Sequence, residues 1–243
     1  LFDTVFSKPV VEDGICKGVI LENKTGRVGY TAKVIVDTTG DADVMFRAGA
    51  ACAESDNWLS YWAYTTSLEK MQKAVQSGNI VNGIHLKWFG ADAFGKDAVA
   101  GAKKYYGTDA REVTEFILEG RKLLKKDLNR EDRFKRTFLT LPGMPQLRTT
   151  RRICGYYELS EKDIFTHFDD SIGATGDWRK AGPIYEIPYR TLISPGIKNV
   201  ITAGRTIASK GDAWEVTRVI PTASMTGQAA GTAAALAIKN KCS

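Results

Sequence analysis

Apolar and polar residues alternate along the first 38 residues of the chain, and two turn sequences interrupt the alternation. The turns are Glu12-Asp13-Gly14 and Asn23-Lys24-Thr25-Gly26, which consist largely of turn-forming residues. This pattern predicts a β-meander over residues 1–38. Its last segment contains the apolar run Val34-Ile35-Val36, followed by a polar turn with glycine. Such a run is typical of a buried strand that ends at a functional loop.

Helical periodicity is strongest over residues 109–128. Asp109 and Glu112 predict an N-terminal cap, and apolar residues recur on one face of the helix. These residues are Val113, Phe116, Ile117, Leu124 and Leu128. A second helix, rich in alanine, is predicted from about Pro221 to Lys239, because proline suits the first position of a helix.

Weaker patterns predict several shorter elements. They are a short helix at residues 42–51, a helix start at Ser160 and Asp163, a strand at residues 185–192 and a strand at residues 199–203. Pro188 makes the strand at 185–192 an edge strand, because proline cannot donate a ladder hydrogen bond. Residues 55–95 carry many aromatic side chains and fit neither period well.

The change of composition along the chain predicts one α/β domain built from two pieces, residues 1–52 and 146–243. A largely helical insertion, residues 53–145, interrupts this domain. No internal repeat or low-complexity tract is present.

The composition is that of a globular protein, with 43% hydrophobic and 26% charged residues among 243. This apolar content offsets the entropy cost of ordering the chain, which excludes a disordered protein. No run approaches the roughly eighteen apolar residues of a membrane span. The net charge of +6 comes from basic residues scattered among acidic ones, which disfavours nucleic-acid binding.

The four cysteines, at positions 16, 52, 154 and 242, form no Cys-x-x-Cys pair. They predict neither a zinc site nor a disulfide framework. Reduced thiols in the cytoplasm fit best, with bridged cysteines as the alternative. His85 and His167 lack ligand-spaced partners, so no metal site is predicted. Phosphate-loop, zinc-peptidase and nucleophile-elbow motifs are also absent.

Two motifs place a polar glycine turn directly after an apolar strand. One leads into Thr38-Thr39-Gly40-Asp41 and the other into Ala203-Gly204-Arg205. Glycine lets the backbone approach a ligand closely, and the hydroxyl and N–H groups of such turns can hold phosphate or ribose. The alternatives are a strand–turn–helix joint with an aspartate cap for the first motif and an ordinary structural turn for the second.

The segment Arg218–Ala237 contains the predicted alanine-rich helix, and the face that follows Pro221 consists almost entirely of Ala, Gly, Thr and Ser. Small residues let a helix lie close to a neighbour, and its N-terminus offers unpaired N–H groups and the positive end of the helix dipole. This combination favours an anionic ligand group. The alternative is a tightly packed core helix.

Three arginines occur within the segment Leu147–Tyr156. On a strand, Arg148 and Arg152 would share one face and Arg151 would lie on the other. Arginine is suited to bidentate recognition of a carboxylate. An exposed basic strand is the alternative.

In this order the motifs resemble the C-terminal part of FAD-dependent oxidoreductases, in the broad group of fumarate-reductase-like flavoproteins. The matching stretches are Ala32–Asp41, Arg151–Leu159, Ile187–Leu192 and Asn199–Ala237. The resemblance covers roughly residues 1–52 and 147–240. It implies FAD as the cofactor and an incomplete FAD-binding domain of the glutathione-reductase-like ββα type, with the insertion as a cap that contributes to the substrate pocket.

The resemblance also implies roles for individual residues. It implies cofactor contacts for Thr39, Gly40, Asp41, Gly204, Arg205, Arg218, Thr222, Gly227 and Gln228. The helix after Arg218 would direct its N-terminus at the pyrimidine edge of the flavin, where the positive end of the dipole stabilises the anionic reduced form. Arg152 or Arg205 would anchor a substrate carboxylate, an expectation that rests on charge type alone.

Two departures from the family pattern matter. The Gly-x-Gly-x-x-Gly strand–turn–helix, which supplies the pyrophosphate site and lies upstream in the family, is absent, and Gly14 and Gly18 do not fit it. Because the chain also begins with Leu1, in a strand already in progress, we expect a fragment that arose by truncation, proteolysis or a split gene. The second departure is Gly211, which stands where many relatives carry a histidine, and Lys210 and Asp212 are the candidates to replace it.

The sequence therefore predicts a fragment of a flavin-dependent oxidoreductase that transfers hydride between FAD and a small organic substrate. By itself it is expected to bind FAD poorly or not at all, and to be inactive. The alternative is a non-catalytic partner-binding remnant or one subunit of a split flavoprotein, because loss of the N-terminal βαβ unit exposes apolar sheet. The expected partners are a small-molecule substrate and either the missing N-terminal half or a second copy.

Overall fold

The computed structural model describes residues 1–92, 94–142 and 145–242. The chain divides into two compact units: the first unit is Leu1–Glu54 with Arg151–Ser243, and the second unit is Ser55–Thr150. The boundaries predicted from the sequence follow residues 52 and 145. Its assignment of these pieces to an FAD-binding domain and a cap stays a prediction.

The helices and strands alternate irregularly along the chain. In chain order they are β1 (Val5–Glu12), β2 (Ile15–Asn23), β3 (Gly26–Thr31), β4 (Ile35–Asp37), α1 (Asp43–Arg47), β5 (Cys52–Glu54), β6 (Asn57–Trp58), β7 (Ser60–Ser67), α2 (Leu68–Ser77), β8 (His85–Gly90), β9 (Lys104–Tyr105), α3 (Ala110–Leu128), β10 (Arg136–Thr140), β11 (Arg151–Ile153), β12 (Ser171–Gly176), β13 (Ile184–Pro188), β14 (Val200–Thr202), α4 (Gly211–Thr217) and α5 (Ile220–Asn240). None of the helices in the described part of the chain combines the length and the hydropathy needed to cross a membrane.

In the first unit, β1, β2 and β3 form an antiparallel meander, as the alternation predicts. Asp13 and Gly14 link β1 to β2, and both have positive φ angles, of 48° and 72°. A two-residue hairpin turn of this type needs positive φ at both positions, which Asp and Gly tolerate. The turn sequence read from the chain therefore sets the hairpin.

The other core element of the first unit is a parallel pair, β4 with β14. Val200 lies opposite Ile35, and Thr202 lies opposite Asp37. Ile201 of β14 packs in one hydrophobic cluster with residues such as Ile187, Leu192 and Ile207, while Val200 packs in a second cluster around Met45 and Ile153. The two strands thus have apolar packing on both faces, as buried parallel strands do.

Helix α5 packs against the rest of the first unit through residues that lie four positions apart. Thr222, Thr226 and Ala230 are buried, and they share one face because residues at this spacing align along a helix. The opposite side, which includes Ser224 and Gln228, is exposed. The predicted helix is confirmed, with one extra residue at each end.

Three shorter elements differ from their predictions. The helix start at Ser160 and Asp163 is a single 3-10 turn with a capping box, and no α-helix follows it. The strand predicted at residues 185–192 ends at Pro188, where a 3-10 turn takes over. The helix predicted at residues 42–51 spans only Asp43–Arg47, because the chain turns at Gly49, whose φ is 94°. A side chain with a Cβ rarely adopts such an angle.

The second unit contains a three-stranded antiparallel sheet in the order β10-β7-β8, together with the short pair β6 and β9. The prediction of a largely helical insertion is therefore wrong. The aromatic residues between positions 58 and 89 lie on strands: Trp62 of β7 contacts Tyr64 edge-on at 5.4 Å and lies across from Trp88 of β8. Aromatic side chains favour the pleated surface of a sheet.

Helix α3 is confirmed as predicted and packs on this sheet. The Asp109 carboxylate caps its start by accepting hydrogen bonds from the N–H groups of Arg111 and Glu112. Phe116, Gly120 and Leu124 form the buried face. At Gly120 a Cβ would overlap the ring of Tyr61, so glycine is what allows α3 to lie this close to β7.

Candidate functional site

The loop after β4 is held by one buried carboxylate. Asp37 is fully buried and accepts hydrogen bonds from the Thr39 N–H at 3.0 Å, the Thr39 hydroxyl at 2.7 Å and the Met45 N–H at 2.9 Å. The Thr39 hydroxyl in turn accepts from the N–H of Asp43 at 2.8 Å. The strand–turn–helix joint is therefore fixed by side chains, which leaves the geometry of Gly40 and Asp41 well defined.

The turn after β14 meets this loop through Arg205. Its Nε donates to the carbonyl oxygen of Gly40, and its Nη2 lies 2.7 Å from the Asp41 carboxylate. A Cβ on Gly40 would sit 3.2 Å from that guanidinium, and Gly40 has a φ of 86°. The two glycine turns are thus joined at the carboxyl end of the parallel pair.

Helix α5 contacts the second of these turns. The Thr226 hydroxyl accepts a hydrogen bond from the Gly204 N–H at 2.9 Å, and Gly204 has a φ of 81°. The Thr222 hydroxyl shares a hydrogen bond with that of Thr175 at 2.9 Å. Residues one and two turns into the helix therefore hold its start beside the turn.

The N-terminus of α5 has no side-chain cap. Val219 precedes the helix without a capping hydrogen bond, Pro221 lies in the first turn, and Ile220 is 82% exposed. The first N–H groups of a helix have no intrahelical partner, and they carry the positive end of the dipole. This end of α5 can therefore accept an anionic group.

The structure brings together some of the predicted cofactor residues and separates others. Thr39, Gly40, Asp41, Gly204 and Arg205 lie at the joined turns, with Thr222 in the first turn of α5. Gly227 and Gln228 lie further along α5; a Cβ on Gly227 would meet nothing within 4 Å, and Gln228 is exposed. Arg218 is turned towards the Glu215 carboxylate, which its Nε reaches at 2.9 Å.

Arg152, predicted as a substrate anchor, lies in β11 and is only 7% exposed. Its guanidinium pairs with the Glu158 carboxylate and lies 5.6 Å from the ring of Trp214. Burial alone would raise the pKa of Glu158, but hydrogen bonds from Arg152 and Lys210 outweigh burial, so the pKa is lowered. The charge of Arg152 is thus balanced within the protein, and Arg205 likewise pairs with Asp41. Their roles as substrate anchors stay predictions.

Arg151, on the opposite face of β11, is also buried. It contacts the carboxylates of Glu54 at 3.0 Å and Asp43 at 3.4 Å, and it lies 3.8 Å over the ring of Phe46. An exposed basic strand is therefore excluded for Arg151 and Arg152. These acidic and aromatic partners come from distant segments, which the local pattern did not reveal.

Two further contacts at the joined turns were not predicted from the sequence. They are the Thr226–Gly204 hydrogen bond and the bond from Trp214 Nε1 to the Arg205 carbonyl oxygen, at 2.7 Å. Thr226 lies in the small-residue segment Arg218–Ala237, four residues after Thr222, and this spacing places its hydroxyl on the same helix face. The sequence around Trp214 contains no pattern that predicts its contact.

Gly211, which the resemblance places at a family histidine position, begins helix α4. Gly211 has a φ of 55°, and a Cβ there would overlap the Glu161 carboxylate. Its two neighbours form ion pairs, Lys210 with Glu158 at 3.4 Å and Asp212 with Arg179 at 3.0 Å. A proton-transfer role for either of them stays a prediction.

The described elements thus define a mixed α/β protein whose polar turns meet at the carboxyl end of a parallel strand pair, beside a helix N-terminus. The model of the family described as FAD dependent oxidoreductase matches residues 1–82 and 57–243, and the chain belongs to this family. No curated protein and no solved structure matches the chain. Membership makes the protein a flavin-dependent oxidoreductase in kind and implies FAD as its cofactor.

Proposed function

We propose that this chain takes part in hydride transfer between FAD and a small organic substrate, and that the two joined turns and the N-terminus of α5 are its contribution to the cofactor groove. We further infer that the first unit belongs to an FAD-binding domain of the glutathione-reductase-like ββα type and that the second unit is the cap. The observation that carries the proposal is the joining of the Gly40 and Gly204 turns at the carboxyl end of the β4–β14 pair. In α/β sheets, ligands bind at this end of the strands.

The residues present fit the polar parts of FAD. Gly40 and Gly204 both have positive φ; at Gly204 the nearest atom to an added Cβ is 3.9 Å away, on Ala223, whereas at Gly40 the Arg205 guanidinium already lies 3.2 Å from that position. The uncapped start of α5 offers N–H donors and positive potential to the anionic pyrophosphate or to the electron-rich edge of the ring system. This donor set is suited to a dinucleotide and carries no competing negative charge in the first turn of α5.

Each proposed contact has a specific task in this arrangement. The loop Thr39-Gly40-Asp41 and the turn at Gly204 would shape the groove, and Thr222, Gly227 and Gln228 would line the helix beside them. The Thr39 hydroxyl, the Gly40 carbonyl and the Gly204 N–H have partners within the protein, which fix the two turns. Arg205 holds the two turns at a fixed spacing, and Arg218 is held against Glu215 in the turn before α5. FAD, when bound, supplies the hydride-accepting group; the chain's residues bind and orient it.

The test is a titration of the purified chain with FAD, followed by visible absorbance and flavin fluorescence. Binding, which we expect to be weak in the isolated chain, should perturb the flavin bands and quench the fluorescence. In the Ile220→Asp variant the new carboxylate stabilises the helix N-terminus but repels an anionic cofactor, so binding should weaken. Ile220→Asn, which has nearly the same shape and no charge, is the matched control and should bind like the unmodified chain. Equal affinities in the two variants would contradict the proposed placement of α5.

A second candidate function is that of a partner-binding subunit of a split flavoprotein. The observation that favours it is the size of the parallel sheet, which has only two strands among the described residues, while one side of α5 is exposed. Parallel sheets are normally larger and covered on both faces. A chain that leaves the spectrum of added FAD unchanged, but gains flavin binding when mixed with a separately produced glycine-rich strand–turn–helix segment, would support this candidate over the first.

A further inference from the structure

The second unit contains a partly open cavity of about 370 Å³ that the proposed cofactor groove does not use. Its lining comes from the end of β7, the first turns of α2, the start of β8, the end of α3 with the loop after it, and the first residue of β10. All of these elements belong to the second unit. The volume is within the range of pockets that hold small molecules.

Positive charge dominates the lining of this cavity. Lys70, Lys73 and Arg136 line it and form no ion pair within the described residues, and only Glu69 is an unpaired acid there. The fourth cation, Lys87, is already neutralised, because its Nζ lies 2.7 Å from Asp127 and 3.5 Å from Glu131. Counted with Asp127, four cationic side chains therefore face three carboxylates, and the cations without an ion pair in the part of the chain that the structure describes are Lys70, Lys73 and Arg136.

Arg136 carries a second, independent signal. Its Nε is buried and has no hydrogen-bond partner within the described part of the chain. Buried donors are almost always paired in native proteins, and leaving one unpaired costs free energy. The backbone of Arg136 is fixed opposite Ser67 in the β10–β7 ladder, and its side chain lines the cavity. Because this Nε has almost no accessible surface, the guanidinium would have to turn for it to donate to an acceptor in the cavity.

We propose that this cavity is a binding site for a small organic anion that carries a phosphate or carboxylate group. The Nε–Nη edge of Arg136 matches the two oxygens of either group in a bidentate hydrogen bond. Lys70 and Lys73 add the charge that a dianion needs. The concave shape and the small volume favour a small molecule over a nucleic-acid strand or a membrane surface. The site goes beyond the proposed FAD chemistry and does not depend on it.

The experiment is calorimetric titration of the full chain with inorganic phosphate and, separately, with succinate, at constant ionic strength. The two probes separate the phosphate source from the carboxylate source of the shared chemistry. Arg136→Gln and Lys70→Gln should each weaken binding of the preferred probe by about tenfold or more, the loss expected for a charge-assisted hydrogen bond. Arg111→Gln removes a positive charge from the exposed surface at the other end of α3 and should leave the affinity unchanged.

Several outcomes would overturn the proposal. They are the absence of saturable binding of either probe, equal weakening in the Arg111→Gln control, and unchanged affinity in Arg136→Gln. Circular dichroism establishes that each variant is folded. If Arg136→Gln does not fold, the exposed Lys73→Gln takes its place, and retention of full affinity in both lysine variants then contradicts the site.

Discussion

Arg205 and Asp41 lie 164 positions apart in the chain, yet the guanidinium of one is 2.7 Å from the carboxylate of the other. Arg205 also donates to the carbonyl oxygen of Gly40, so a single side chain joins both glycine turns. Because both side chains are about 30% exposed, the ion pair itself contributes little, about 1 kcal/mol or less. The bond to the carbonyl is the larger part of the stabilisation.

We therefore expect substitution of Arg205 to destabilise the protein more than substitution of Asp41. Arg205→Gln should lower the free energy of unfolding by about 1–2 kcal/mol, because it removes the charge-assisted bond to Gly40 as well as the ion pair. Asp41→Asn should lower it by less than about 1 kcal/mol. Urea unfolding measures both values, and a larger loss in Asp41→Asn would show that the ion pair, rather than the carbonyl contact, holds the turns.

The Thr226 hydroxyl is the acceptor for the Gly204 N–H, and Thr226 is fully buried. Thr226→Val keeps the shape but leaves that N–H without its partner, which should cost about 1–3 kcal/mol. Thr226→Ser keeps the hydroxyl and should cost about 1 kcal/mol for the lost methyl group. Hydrogen exchange at the Gly204 amide should accelerate in Thr226→Val only; equal protection in the two variants would refute the role of this hydroxyl.

Gly120 and Gly231 are helical glycines in opposite environments. Alanine at Gly120 meets the ring of Tyr61, whereas alanine at Gly231 meets nothing within 4 Å. Gly120→Ala should therefore destabilise the second unit by about 1–3 kcal/mol through overpacking, despite the better helix propensity of alanine. Gly231→Ala should stabilise α5 by about 0.5–1 kcal/mol. Thermal unfolding of the two variants should show shifts of opposite sign.

Asp177 gives the protein a pH-dependent contact. Its side chain is fully buried and accepts hydrogen bonds from the Arg179 guanidinium, which hold its pKa below the ordinary value in spite of burial. In the unfolded chain the pKa is about 3.9, so the stabilisation is complete above that pH and is lost as the pH falls through the lower folded value. Breaking a buried pair costs about 3 kcal/mol.

The corresponding measurement is urea unfolding of the unmodified chain and of Asp177→Asn at neutral pH and below about pH 4. Asp177→Asn should be less stable by about 3 kcal/mol at neutral pH, and the difference should shrink in acid. A difference that stays constant with pH would mean that Asp177 keeps its ordinary pKa in the folded protein.

Short sequence patterns were sufficient to predict the elements whose geometry depends on neighbouring residues, such as helix α3 and the β1–β2 turn. The cap at Asp109 and the face at Phe116 and Leu124 were visible as a period, and Asp13-Gly14 was visible as a turn. The sheet of the second unit was not visible, because its strands carry aromatic residues on both faces and so show no alternation. Its register depends on cross-strand contacts such as that of Trp62 with Trp88, which lie far apart in sequence.

The candidate site was predictable to the same extent. The glycine turns and the small-residue helix were read from the sequence, because each lies within one short segment. The partners of the arginines were not: Arg151 contacts Glu54, which lies 97 positions away, and Arg152 contacts Glu158, six positions on in the same segment, a pairing that no helix or strand period indicates. Charge type identified the arginines as important but did not show that carboxylates of the protein already hold them.

The two units are connected at adjacent points, and this affects the order in which the chain can fold. Within the second unit, the Ser55 N–H donates to the carbonyl oxygen of Thr150 at 3.0 Å, and within the first unit Glu54 lies opposite Arg151 in the β5–β11 pair. If Ser55–Thr150 folds first, its two ends lie side by side, so the long chain between Glu54 and Arg151 acts as a tight turn. The entropy cost of joining β4 to β14 then falls, because loop closure grows with the length of flexible chain. We expect pulse-labelling hydrogen exchange to show protection of β7 and α3 before that of β14; early folding of the second unit would thus act as an internal template for the topology of the first.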